Sequence, residues 1–265
     1  MEAERMPTAG RSTPDVSVVA PAHNEEAYLA ASVELVVAGL RDRGLRFEVV
    51  ICENGSTDRT VAVAAELAAR LPEVRYVTLP EADYGRALRA GFLAAAGRLV
   101  VNFDVDFVDL GFLDRALALE EAGADVVIGS KRTAGADDER PLPRRLVTGV
   151  FSVMLRWGFG LRASDTHGIK LLRKGTLETL VSSIESGRDI FDTELILRAE
   201  RAGRQVDEVP VHVAEQRPPR TGIVGRIPRT LVGLARLRWR LWMQPVEGPG
   251  GSRRRRRLPR STPRR

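Results

Sequence analysis

Short apolar runs alternate with longer amphipathic ones along the first half of the chain. Val16 to Ala20 is apolar except for Ser17 and stops at Pro21, which reads as a short buried strand. Glu25 to about Leu40 then follows a helical period. The pair repeats: strand Phe47 to Cys52, helix Thr57 to Arg70 with Ser56 or Thr57 placed to cap it, strand Val74 to Leu79, helix Gly85 to Ala96. Strand Arg98 to Phe103, helix Leu110 to Ala122 and strand Asp125 to Gly129 complete the series. Strands separated by single helices and short connections predict an open, mostly parallel, twisted α/β sheet flanked by helices.

The second half is patterned differently. Residues 133–145 are rich in Gly, Pro and charge and read as a mobile loop. Leu146 to Leu161 is apolar, Asp165 to Lys170 is a polar turn before Leu171-Leu172, and Phe191 to Ala202 is helical. Gln205 to Val213 alternates like an edge strand. In residues 223–243, Ile223, Ile227, Leu231, Leu234, Leu241 and Trp242 fall near one face of a helix, and Pro228 begins or kinks it. Gly, Pro, Ser and Arg dominate from Gly248 onward, which predicts disorder. The expected organisation is a disordered stretch 1–14, one α/β domain 15–215, a basic amphipathic helical segment 216–247 and a disordered Arg-rich tail 248–265.

The polar residues collect at the strand ends, where open α/β sheets bind ligands. The first strand runs into Pro21-Ala22-His23-Asn24-Glu25, the second into Glu53-Asn54-Gly55-Ser56-Thr57-Asp58, the fourth into Asp104-Val105-Asp106. Carboxylates at a strand end are costly unless a cation meets them. Two aspartates one residue apart suit a hard divalent ion, Mg²⁺ or Mn²⁺, which takes oxygen ligands and shares them with phosphates.

Charge adds an asymmetry. Residues 217–265 hold fifteen Arg and one Glu, a net of +14, against +6 for the whole chain, so the first 216 residues carry −8. A basic tail of this kind seeks phosphate on lipid or nucleic acid. No aromatic-interleaved basic groove accompanies it, which argues against nucleic acid. The single cysteine, Cys52, forms no intrachain disulfide, and a reducing compartment suits it. The first fifteen residues lack the apolar core of a signal peptide. No run of about 18 apolar residues predicts a transmembrane helix.

Seven motifs, in order, resemble those of family 2 glycosyltransferases of the GT-A fold. They are Val18-Val19-Ala20-Pro21-Ala22-His23-Asn24-Glu25-Glu26, Glu53-Asn54-Gly55-Ser56-Thr57-Asp58-Arg59-Thr60, Tyr84-Gly85-Arg86-Ala87-Leu88-Arg89-Ala90-Gly91, Asp104-Val105-Asp106, Ile128-Gly129-Ser130-Lys131-Arg132, Phe191-Asp192-Thr193-Glu194-Leu195 and Glu208-Val209-Pro210-Val211. The likeness is strongest to enzymes that pass a sugar from a nucleotide to a polyprenyl or dolichyl phosphate. It implies a metal-dependent, inverting transfer from a donor of the UDP-glucose or GDP-mannose type. Asp104 and Asp106 would hold Mg²⁺ or Mn²⁺, and Pro21, Glu25, Glu53 and Asp104 would meet the nucleotide-sugar. Asp106, Asp192 and Glu194 match catalytic positions, with Asp192 or Glu194 the base if the acceptor is a hydroxyl. Lys131, Arg132, Arg144, Thr148 and His167 are the acceptor-side candidates. His167 either meets phosphate or closes a polar turn. The polyprenyl-phosphate acceptor implies a cytoplasmic enzyme held peripherally on the inner membrane face through its C-terminal arginines. A soluble or glycan hydroxyl acceptor is the alternative, and a non-catalytic nucleotide-binding or nucleic-acid-binding relative a third. The sequence departs from the pattern at Asn54, where the family has Asp, and at Val108, where lipid-linked enzymes often have Gln.

Overall fold

The computed structural model describes residues 13–138, 142–187, 190–213 and 223–243. The alternation begins as expected: β1 (Val16–Ala22), α1 (Leu29–Asp42), β2 (Phe47–Asn54), α2 (Thr60–Arg70), β3 (Val74–Leu79) and α3 (Tyr84–Ala94). It continues through β4 (Leu99–Asn102), α4 (Leu110–Glu121) and β5 (Val126–Ser130). The later elements are β6 (Asp137–Asp138), α5 (Leu142–Phe159), β7 (Lys170–Arg173), α6 (Lys174–Val181), α7 (Phe191–Arg201), β8 (Val206–Pro210), β9 (His212–Val213) and α8 (Ile223–Met243).

Seven strands form one sheet in the order β3-β2-β1-β4-β7-β5-β8, with β6 and β9 paired separately. Every neighbouring pair is parallel except the two made by β7, which runs antiparallel between β4 and β5. Mostly parallel sheets bury both faces, which is why β1 is buried at all seven positions and reads as an apolar run broken only by Ser17. Alternate residues serve two cores. Val18 and Val101 face α1 and α4, with Leu29, Val33 and Phe112. Val19 and Val100 face α3, α6, α7 and α8, with Phe92, Leu177, Phe191 and Leu237. Helix α3 lies close on the sheet at Gly91, where a Cβ would come within 2.4 Å of Val19 Cγ1 and Cys52 Sγ.

Four expectations change. The strand β7 takes in Lys170, read as the end of a polar turn, with the two leucines after it, and helix α6 lies where no element was read. Part of the 133–145 loop is β6 and the start of α5. Ser56 and Thr57 do not cap α2; Asp58 Oδ1 accepts from Thr60 N–H instead (2.9 Å). The inner face of α8 is Leu234, Leu237 and Leu241, while Leu231 and Trp242, expected beside them, are exposed. Of the stretches read as disordered, residues 1–12 and 248–265 lie outside the described residues, as do 216–222 and 244–247 of the segment read as helical. At the N-terminal boundary, the Pro14 carbonyl already accepts from Arg98 N–H (3.1 Å).

Candidate active site

The loops after β1 and β2 are sewn together along the sheet edge. Asn24 has φ 55°, a left-handed conformation that asparagine tolerates. Its N–H donates to Ser56 Oγ (3.0 Å), its Oδ1 accepts from Thr57 N–H (2.8 Å), and Glu25 N–H donates to Thr60 Oγ1 (2.7 Å). Asn54 joins a third loop: Nδ2 donates to Ala22 O (2.9 Å) and Oδ1 accepts from Asp83 N–H (3.1 Å). A carboxylate could not supply the first of these bonds, which accounts for asparagine here. Gly55 follows at φ 61°, where a Cβ would sit 2.7 Å from Ala82 N, so the turn requires glycine.

This edge holds Pro21, buried in β1, and Glu25, half-buried before α1. Glu53 is 1% exposed. Its Oε1 accepts from Ser56 N–H (2.6 Å), while Oε2 is buried with no partner among the described residues. A buried carboxylate oxygen left unmatched by the chain is free to accept from a ligand donor or a water.

One strand along, the chain leaves β4 into a tight turn closed by Phe107 N–H on Asp104 O (2.9 Å). Asp104 is half-buried and Asp106 exposed. Tyr84, opening α3, donates its hydroxyl to Asp104 Oδ1 (3.1 Å). Lys170 enters through β7. Because that strand runs backwards, its first residue lies at the edge where the parallel strands end, in register with Asn102. The Lys170 side chain is fully buried, and Nζ donates to Gly168 O (2.6 Å) and Asp192 Oδ1 (3.0 Å). Burial, then the charges of Asp106 and Asp192, raise the Asp104 carboxyl above its ordinary value, with Lys170 and the Tyr84 hydroxyl pulling the other way. Burial and the same three carboxylates push the Tyr84 phenol well above its ordinary value, so it stays a donor. Three carboxylates thus face one ammonium, an excess of negative charge that a hard divalent cation fits. Among the described residues no group of three or more His, Cys, Asp and Glu is placed to enclose a metal. Two aspartates are enough for Mg²⁺ or Mn²⁺ when diphosphate oxygens and water complete the shell.

Neither Tyr84 nor Lys170 was singled out from the sequence as a site residue. The available signal was a lysine opening the apolar run Leu171-Leu172, which buries a charge unless a carboxylate meets it. The two base candidates separate. Asp192 joins the acid cluster through Lys170. Glu194 is fully buried and engaged on both oxygens, by Arg198 (2.7 Å), by Ser186 N–H (3.0 Å) and by Arg240 of α8 (3.5 Å). So engaged, Glu194 pins α8 to α7.

Acceptor-side candidates gather around α5. His167 N–H donates to Asp165 Oδ1 (3.0 Å), and its ring stands edge-on to Phe151 of α5 at 5.6 Å. Thr166 Oγ1 bonds to Thr193 Oγ1 (3.1 Å), tying this turn to α7. Arg132 is exposed and lies against α5 near Gly149, with Lys131 beside it and Thr148 half-buried. Arg144 is in α5, but its side chain lies outside what the structure describes. Glu208, from the last motif, accepts from Ser164 Oγ (2.7 Å) and from the N–H groups of Ser164 (3.1 Å) and Asp165 (3.3 Å), and so fixes the loop that carries this turn.

A mostly parallel sheet of this order, with an aspartate pair beyond its fourth strand, is the GT-A architecture of glycosyltransferases. The chain belongs to glycosyl transferase family 2, whose family model matches residues 17–185. Glycosyltransferase AglD of Haloferax volcanii is 31% identical over 261 residues; the match covers 95% of this chain but 41% of that protein. An uncharacterized glycosyltransferase of Mycobacterium tuberculosis is 33% identical over 219 residues, covering 82% of this chain and 92% of the relative. The dolichyl-phosphate beta-glucosyltransferase of Drosophila melanogaster is 31% identical over 220 residues, covering 76% and 67%. Among solved structures, glucosyl-3-phosphoglycerate synthase of Mycobacterium tuberculosis in complex with Mn²⁺, UDP-glucose and phosphoglyceric acid aligns with a TM-score of 0.65 at 23% identity, covering 85% of this chain and 80% of that one. That likeness shows the fold.

Proposed function

We propose that this glycosyltransferase moves a sugar from a nucleotide-sugar to a polyprenyl phosphate, with inversion at the anomeric carbon. The observation that carries the acceptor class is the state of the two base candidates: Glu194 is locked between two arginines, and Asp192 is paired with a buried lysine. A hydroxyl acceptor needs a base, whereas a phosphate monoester is already anionic at neutral pH. The dolichyl-phosphate beta-glucosyltransferase relative supports the same class.

In this reading Glu53 Oε2 accepts an N–H of the base and Glu25 accepts from the ribose hydroxyls. A divalent ion on Asp104 and Asp106, when bound, supplies charge stabilisation to the leaving diphosphate. Tyr84 holds the Asp104 carboxylate in place. Lys170 holds Asp192 and offsets part of the charge repulsion around the acid pair. Arg132, Lys131, Arg144 and His167 receive the acceptor phosphate beside α5. The protein's task is positioning and exclusion of water rather than proton abstraction. The arginines of the C-terminal tail hold the catalytic domain at an anionic membrane surface.

The test is incubation of purified protein with a panel of nucleotide-sugars, Mn²⁺ and either polyprenyl phosphate or hydroxyl acceptors. Expected is a metal-dependent glycolipid phosphate with inverted anomeric configuration. Transfer only to hydroxyl acceptors overturns the reading.

A further inference from the structure

All three tryptophans of the chain stand in solvent on two touching helices: Trp157 of α5 is 86% exposed, Trp239 and Trp242 of α8 are 61% and 75% exposed. On α5, Leu142, Leu146, Val150 and Val153 are exposed alongside Trp157. At about 100° per residue these five fall within roughly 80° of the helix circumference. Leu155, which is fully buried, lies on the opposite side. Helix α5 therefore has an inner apolar face used by the domain and an outer one that nothing among the described residues covers. Helix α8 repeats the arrangement. Leu234, Leu237 and Leu241 pack inward, while Leu231, Val232, Trp239, Trp242 and Met243 are exposed on the other side.

The helices meet where Arg238 Nη1 donates to Gly158 O and its guanidinium stands 5.9 Å from the centre of the Phe159 ring. The two outer faces thus belong to neighbouring helices. Charge narrows the partner. Neither helix contains an Asp or Glu, in a chain whose first 216 residues carry −8. Arg145 and Arg156 border the α5 stripe, and Arg229 and Arg236 border that of α8. Arg253 to Arg257 follow in the sequence. Apolar stripes edged by indoles and arginines, with no carboxylates, match the boundary layer of an anionic bilayer. Among the described residues no helix is long and apolar enough to cross a membrane.

We propose that the outer faces of α5 and α8 form one docking surface that inserts into the headgroup layer of an anionic membrane. The choice of a bilayer as the cover rests in part on the lipid-phosphate reading above. Helix α5 gives the surface its use: Phe151 packs on His167 and Arg132 lies against Gly149, so docking this helix brings the acceptor end of the site to the lipid boundary.

The test uses the full chain and vesicles of phosphatidylglycerol and phosphatidylcholine without any polyprenyl phosphate. Every indole is on this surface, so tryptophan emission reports on it alone. Expected are a blue shift on vesicle addition and quenching by brominated acyl chains. Val150→Glu and Leu146→Glu should each weaken vesicle binding by roughly tenfold or more, because a carboxylate then faces apolar chains and anionic headgroups. Both positions are exposed, so nucleotide-diphosphate binding should be retained and serves as the check on folding. Emission unmoved by vesicles, or V150E binding them like the parent, overturns the proposal. A self-association abolished by V150E, with no emission change on vesicles, gives the cover to a second copy and overturns it too. The vesicles hold no acceptor, so failure of the polyprenyl-phosphate reading in the transfer assay leaves this result standing, and the reverse.

Discussion

Asp106 is the residue on which the metal reading turns, since it is exposed on the turn after β4 and Asp104 behind it is fixed by Tyr84. Asp106→Asn removes one charge and keeps the size. Calorimetry with UDP or GDP and Mn²⁺ should show the metal-dependent part of binding fall by roughly tenfold or more, about one lost charge-assisted contact of 1.5–3 kcal/mol. The melting temperature without ligand should stay within a degree or two of the parent, since an exposed site contributes little to stability. Unchanged affinity together with unchanged metal dependence would remove Asp106 from the site. Gly55 is the opposite kind of residue, needed for the loop and not for chemistry. Gly55→Ala puts a Cβ into the backbone of Glu81 and Ala82 at a positive φ, and should destabilise by about 1–3 kcal/mol in urea unfolding. If it melts like the parent, the interlocked loops are not held as described. Both residues could be found in the sequence because each lies in a short motif whose role is local. Tyr84 opens one of the motifs and Lys170 opens an apolar run, but the partner of neither could be read. Their roles come from meeting Asp104 and Asp192, 20 and 22 residues away, and no local pattern announces such a meeting.

Elements divide along the same line. The inner parallel strands β1, β4 and β5 were legible because each is buried on both faces and reads as a largely apolar run. Strand β7 was not, being four residues long, opened by a lysine, and set by its reversed direction between β4 and β5. The rotation of α8 was equally hidden. Its apolar residues surround more than one face, and the domain chose Leu237 rather than Leu231. Cross-strand ties show what else the sheet depends on. Glu48 of β2 accepts from Ser17 Oγ of β1 (2.6 Å), from Ala96 N–H (2.6 Å) and from Arg75 Nε of β3 (2.8 Å). Burial raises its carboxyl, but the bonds from Arg75, Ser17 and Ala96 outweigh that and hold it below the ordinary 4.5. A depressed carboxyl stabilises the fold above its unfolded value, and the benefit is lost as pH falls through the folded value. Glu48→Gln should therefore cost about 2 kcal/mol at neutral pH. The difference from the parent should shrink as pH drops below the ordinary value of 4.5. Urea unfolding across that range reads both, and a difference that is constant with pH would mean the carboxylate is not the source.

At the scale of the whole molecule the charge is divided between an acidic body and a basic end, −8 against +14. Such a molecule orients in the field of an anionic surface before any side chain touches lipid. The arginines beyond Gly248 lie outside the described residues, but their number and sign are enough for a prediction. Each arginine close to an anionic leaflet contributes about 1 kcal/mol, and salt screens that contribution over a Debye length of about 10 Å at 0.1 M. The outer faces of α5 and α8 would contribute chiefly by apolar burial, which salt does not weaken in this way. The two terms can therefore be separated in one experiment. Truncation after Gly248 should reduce cosedimentation with anionic vesicles at low salt, and raising salt should reduce the full chain to the level of the truncated one. What persists at high salt should be the part that Val150→Glu removes. Nucleotide binding should survive the truncation, because the donor-site candidates all lie between Pro21 and Asp106. If the truncated chain sediments as well as the full one at low salt, the tail is not an electrostatic anchor. The helices would then carry the membrane contact alone.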